Sequence, residues 1–129
     1  MKYFYLTIFL SLPLLASHVV IIIPGTWATS ASWYKPGGEF FEVLRQAAEG
    51  DPVIAFNWSC KLNPYDRNVA AVQLVTVLDS YPEGTEFTII AHSHGGNVGI
   101  VATQKMQRQC IRAFYALGTP VDNEGYYPN

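Results

Sequence analysis

Apolar and polar positions alternate along the chain in a regular order of strand-like and helix-like blocks. Val19 to Ile23 is a continuous β-branched run, the mark of a strand buried on both faces. Pro24-Gly25 ends it, and a loop follows through Thr26, Trp27, Ser30 and Trp33. After Pro36-Gly37-Gly38, the residues Phe40, Phe41, Leu44, Ala47 and Ala48 fall on one face at helical spacing. Gly50 and Pro52 stop that helix, and Val53 to Trp58 reads as a second strand. Asn63, Pro64 and Asp66 mark a helix start. Ala71, Leu74, Val75, Leu78 and Tyr81 form the apolar face of the helix that follows. Pro82-Glu83-Gly84 is a turn, Phe87 to Ala91 a third strand, and Gly95 opens a third helix. Ile111 to Leu117 is a fourth strand, closed by Gly118-Thr119-Pro120.

Strand and helix alternate throughout, so right-handed crossovers predict an α/β fold, a parallel sheet flanked by helices on both faces. Ligands in such sheets bind beyond the carboxyl ends of the strands. The loops after Ile23 and Ala91 both lie at that edge. Arg67, Lys105, Arg108 and Arg112 read as solvated charges, and Phe40, Phe41 and Phe87 as core by periodicity.

Composition narrows the picture. Half of the 129 residues are apolar, which supports a folded chain and one domain. Eight Lys+Arg against ten Asp+Glu make a net charge of -2, with no basic patch for nucleic acid. No Gly-Lys-Ser or Gly-Lys-Thr occurs, which excludes a P-loop. Cys60 and Cys110 are too few for a disulfide scaffold and lack zinc spacing. They read as buried free thiols, with one disulfide as the alternative in an exported protein.

Residues 1–17 stand apart from the domain that starts at His18. Met1-Lys2 precedes an apolar run, Tyr3 to Leu15, and then Ala16-Ser17, the layout of a secretory signal. Secretion or periplasmic export is the expectation. A membrane anchor and a buried segment of a cytoplasmic protein are the other readings. About 15 apolar residues before the first strand are short for a span.

The chemistry-bearing segment is Ala91-His92-Ser93-His94-Gly95. A strand runs into a serine and directly into a helix, with small residues two before and two after it. This matches the nucleophile elbow G-x-S-x-G, with Ala in the first Gly position. The turn is so tight that only small side chains fit beside Ser93. The serine also sits at a helix N-terminus, where free N–H groups favour developing negative charge.

On these residues the chain resembles the α/β-hydrolase superfamily, in particular its lipase and esterase members, from His18 to Pro120. Val19-to-Thr26 is similar to the strand and oxyanion loop of that family, and Leu117-Gly118-Thr119-Pro120 to its segment after the next strand. The resemblance implies that Ser93 is the nucleophile attacking an ester carbonyl. It implies that the backbone N–H groups of His94 and Thr26 are the oxyanion donors. It also implies an acyl-enzyme mechanism on a small-molecule ester or lipid, without metal or organic cofactor. Pro24 stands where the family usually has His. Trp27, Trp33 and Tyr34 are expected to line the acyl side of the cleft.

The resemblance also exposes a gap. In this family a catalytic acid and then a histidine follow the serine, and no histidine follows His94. His18 begins the first strand, at the opposite edge of the sheet. His92 and His94 flank the serine with side chains directed away from its hydroxyl. Asp122 is the candidate acid, weighed against a solvated turn residue. The chain therefore reads as the N-terminal portion of a serine hydrolase, its histidine lying beyond Asn129. The alternative is a non-catalytic hydrolase-like module or degenerate copy that binds an apolar ligand or a partner chain, with the exposed fourth strand as the pairing edge. His92-x-His94 as a metal pair and Gly95-Gly96-x-x-Gly99 as a dinucleotide turn are both disfavoured, the latter because G-x-G-x-x-G spacing is absent. Trp58-Ser59-Cys60-Lys61 follows the second strand at the active edge and reads as a simple loop, with a binding role as the alternative.

Overall fold

The β-branched run forms β1 (His18–Ile23), the first of four strands, in a computed structural model that describes residues 17–107 and 110–121. The signal-like stretch through Ala16, Arg108 and Asp122 lie outside the described residues. The other elements are α1 (Glu39–Ala47), β2 (Val53–Ala55), α2 (Pro64–Asp79), β3 (Glu86–His92), α3 (His94–Lys105) and β4 (Cys110–Leu117). A single 3-10 turn, Ala28–Ser30, lies in the loop after β1. All four strands are parallel, in the order β2-β1-β3-β4. The expected α/β sheet is present, with helices on both faces.

Period-two alternation assigns the two faces. Val19, Ile21, Ile23, Phe87, Ile89 and Ala91 are all 0% exposed. They pack against Leu74 and Leu78 of α2 and Val98 and Ala102 of α3. On the opposite face, Ile22 packs with Tyr34 and with Phe41 of α1. Phe40 is only half-buried, against the Trp33 ring. The N-terminus of α2 is held by Asn63, whose side-chain oxygen accepts from the Asp66 N–H at 2.8 Å, with Pro64 in the first turn.

Four expectations change. Arg67, read as a solvated charge, is buried at 8% exposure, because it shares the inward face of α2 with Ala70, Ala71 and Leu74. β2 ends at Ala55 rather than Trp58. Beyond it Phe56 and Trp58 are buried, and the segment leaves the sheet to brace the loop after β1. Tyr34 is 1% exposed and belongs to the core, where its hydroxyl donates to Asn57 Oδ1 at 3.3 Å. It therefore lines no open cleft. Both thiols are free, and Cys60 is buried, but Cys110 is exposed, because it begins the edge strand β4.

Candidate active site

β3 delivers Ser93 to the carboxyl edge of the sheet. Its N–H donates to the Leu117 carbonyl at 2.9 Å, which extends the β3–β4 ladder by one residue. The backbone then turns sharply. Ser93 has φ 51° and ψ -133°, a conformation that costs a non-glycine residue about 1–3 kcal/mol. α3 begins at the next residue, so Ser93 caps a helix whose first N–H groups have no intrahelical acceptor.

Close approach explains the small residues. A Cβ on Gly95 would lie 2.5 Å from the Pro24 carbonyl oxygen and 2.6 Å from that of Ile23. A Cβ on Gly25 would lie 2.8 Å from Ser93 Cβ and 3.0 Å from the His92 carbonyl oxygen. The loop after β1 is therefore packed directly on the elbow, and Thr26 follows the glycine that makes the contact. Among the described residues, neither the Thr26 N–H nor the His94 N–H has an acceptor. The Thr26 hydroxyl oxygen is also buried without a partner.

Two loops hold this arrangement. Trp58 Nε1–H donates to the Pro24 carbonyl at 2.8 Å, in a buried bond. The Trp27 N–H donates to the Cys60 carbonyl at 2.8 Å, and Trp27 adopts φ 60°. The loop read as simple, Trp58 to Lys61, thus supplies the brace that the Pro24 position lacks. On the far side, Thr119 Oγ1–H donates to the Ser93 carbonyl at 2.9 Å, and Asn97 Nδ2 donates to the Pro120 carbonyl at 2.8 Å. The one sequence cue for the Trp58 brace is a tryptophan at the carboxyl edge of the sheet. Burial pushes the Cys60 thiol pKa up, so this residue serves structure and is a poor nucleophile.

The histidines are accounted for one by one. His92 is exposed, its ring edge-on to Trp33 at 5.7 Å. His94 Nδ1 lies 2.8 Å from Asn97 Oδ1. The amide of Asn97 already donates to Pro120, so the His94 Nδ1 carries the proton. His18 is hydrogen-bonded at the opposite edge to Asp51 and Thr88. No imidazole among the described residues is hydrogen-bonded to the Ser93 hydroxyl. The described residues contain no group of three or more His, Cys, Asp or Glu that could hold a metal ion. Trp33 stands beside the elbow, whereas Trp27 is 76% exposed.

Comparison with known proteins bears on the same elements. No curated protein matches the chain. A solved structure, an iodinated complex of acetyl xylan esterase at 1.80 Å, superposes with a TM-score of 0.55 at 17% identity. The match covers 85% of this chain and 66% of that one, so this chain spans just under two thirds of the esterase's length. At that identity the likeness concerns the fold. The model of the alpha/beta hydrolase family matches residues 20–128, a range that holds the sheet, the elbow and the loop packed against it. The chain belongs to the alpha/beta hydrolase family.

Proposed function

We propose that this chain is the nucleophile-bearing portion of a serine hydrolase of lipase or esterase type that cleaves carboxylic esters through an acyl-enzyme. The observation that carries the reading is the strained Ser93 turn with the Gly25-Thr26 backbone packed on it. A carbonyl carbon above Ser93 Oγ would set its oxygen toward the unpaired N–H groups of Thr26 and His94. Each such donor is worth about 3–4 kcal/mol in the transition state. The partnerless Thr26 hydroxyl supplies a further donor beside them. Trp33 and His92 offer an aromatic wall for the acyl group. The esterase fold of the structural neighbour agrees with an ester substrate.

Ser93 needs a base, and its own three histidines are engaged or turned away. In this reading the histidine and its acid come from polypeptide outside these 129 residues. The free edge of β4 is its point of attachment. Leu117 at the end of β4 is bonded to Ser93, so a strand added there, about 4.8 Å away, would end within reach of the hydroxyl. Export through the signal-like N-terminus belongs to the same proposal.

The test is hydrolysis of a p-nitrophenyl ester series by the protein as its source cell makes it. Ser93→Ala should lower kcat by at least ~10³-fold with the fold intact. A kcat unchanged by Ser93→Ala would leave a non-catalytic module as the reading of the elbow.

A further inference from the structure

The hydroxyl that does carry an imidazole partner lies at the other end of the sheet. Thr88 in β3 and His18 in β1 project from the face that α1 covers only in part. His18 Nε2 is 2.8 Å from Thr88 Oγ1, and His18 Nδ1 is 2.7 Å from Asp51 Oδ2. A carboxylate only accepts, so Nδ1 carries the proton. In the neutral ring Nε2 is then the acceptor, and the Thr88 hydroxyl donates to it. Nucleophile, base and orienting acid are thus joined in the sense that hydroxyl activation requires. Their separations in sequence, 33 and 70 residues, show that the sheet assembles them.

The three groups line a cleft of about 680 Å³. Val20, Leu44, Ile90 and Tyr115 give it apolar walls. Glu49 and Asp51 make its rim acidic, which disfavours anionic ligands. Arg112 lines the same cleft and, among the described residues, makes a loose, exposed pair with Glu86 at 3.8 Å. It is free to turn toward a developing oxyanion.

We infer that Thr88, His18 and Asp51 form a second acyl-transfer centre, independent of Ser93, that accepts neutral esters with short apolar acyl chains. Thr88 Oγ attacks the carbonyl carbon while its proton passes to His18 Nε2. The carbon–oxygen bond to the leaving alcohol breaks, and Nε2 returns the proton to that oxygen, leaving an acyl ester on Thr88. A water molecule, giving a proton to the same nitrogen, then adds to the acyl carbon. Thr88 Oγ departs and takes the proton back.

The experiment uses the protein as its source cell makes it, carrying Ser93→Ala, with p-nitrophenyl butyrate, following nitrophenolate release and mapping the acyl group by peptide mass. The expected result is a burst with one butyryl group on the peptide carrying Thr88. Thr88→Val, isosteric and suited to a strand, should abolish it, and Thr88→Ser should retain it. His18→Gln should slow acylation ~100-fold or more. Circular dichroism confirms that each variant is folded. A burst that survives Thr88→Val, or butyrylation of lysine or histidine alone, would overturn the inference. No acylation at all would overturn it alone, because the Ser93 reading is tested on protein that keeps Ser93.

Discussion

Gly95→Ala is the sharpest perturbation of the elbow, because two effects of opposite sign compete there. In a helix interior, alanine is favoured over glycine by about 1 kcal/mol, and less in a first turn. Against this, the new Cβ would meet two backbone carbonyl oxygens, Pro24 at 2.5 Å and Ile23 at 2.6 Å. The two sides must part by about 0.9 Å to reach ordinary contact at 3.4 Å. Neither gives easily. Ile23 is paired with Ala91 in the sheet, and Pro24 is held by the Trp58 indole. Overpacking of this kind costs about 1–3 kcal/mol, so the steric effect wins. The net loss is ~1–2 kcal/mol, or roughly 3–8 °C in Tm for a domain of this size. Thermal unfolding followed by circular dichroism measures it. Gly99→Ala is the matched control, since its Cβ would meet ring atoms of Phe114 at 2.7 Å, and a side chain can yield where a carbonyl cannot. A Gly95→Ala variant as stable as the parent, or less affected than Gly99→Ala, would refute the close-packing argument.

Other perturbations probe the supports. Trp58→Phe keeps an aromatic ring in place but removes the indole N–H, the donor to the buried Pro24 carbonyl. It should lower stability by about 1–3 kcal/mol in denaturant unfolding, and an unchanged midpoint would dismiss the brace. The carboxyl of Asp66 is held below its ordinary value of 3.8, first by the Asn63 side chain and then by Ser59. A depressed folded pKa gives stability that is present above the unfolded value and lost as pH falls through the folded one. Asp66→Asn should therefore lower Tm at neutral pH, with the gap closing as the pH falls below 3.8; a gap independent of pH would contradict it. Native protein should expose one reactive thiol to a disulfide reagent, Cys110, with Cys60 reacting only on unfolding. Two thiols reacting at once in folded protein would contradict the burial of Cys60.

Local patterns made most of the fold readable. The β-branched run of β1 and the helical spacing of Leu74 and Leu78 are properties of contiguous residues, and both faces appear where the periodicity put them. The small residues about Ser93 were readable for the same reason, since the turn is local. What escaped depends on partners distant in sequence. β2 looked longer because Phe56 and Trp58 are strand formers, but the Trp58 indole bonds to Pro24, 34 residues earlier. Tyr34 looked like a cleft residue from its place in the loop after β1, whereas it is packed under α1 with Ile22 and Phe41. The joining of His18 to Asp51 and Thr88 follows from strand register across the sheet, which no window along the chain reveals.

The most direct measurement is reaction of the protein, as its source cell makes it, with a fluorophosphonate, followed by mapping of the labelled peptide. The expected result is a label on Ser93, absent in Ser93→Ala, on a polypeptide that carries a histidine outside these 129 residues. Folded protein that takes no label, or takes it at another serine, would contradict the assignment of Ser93 as the nucleophile.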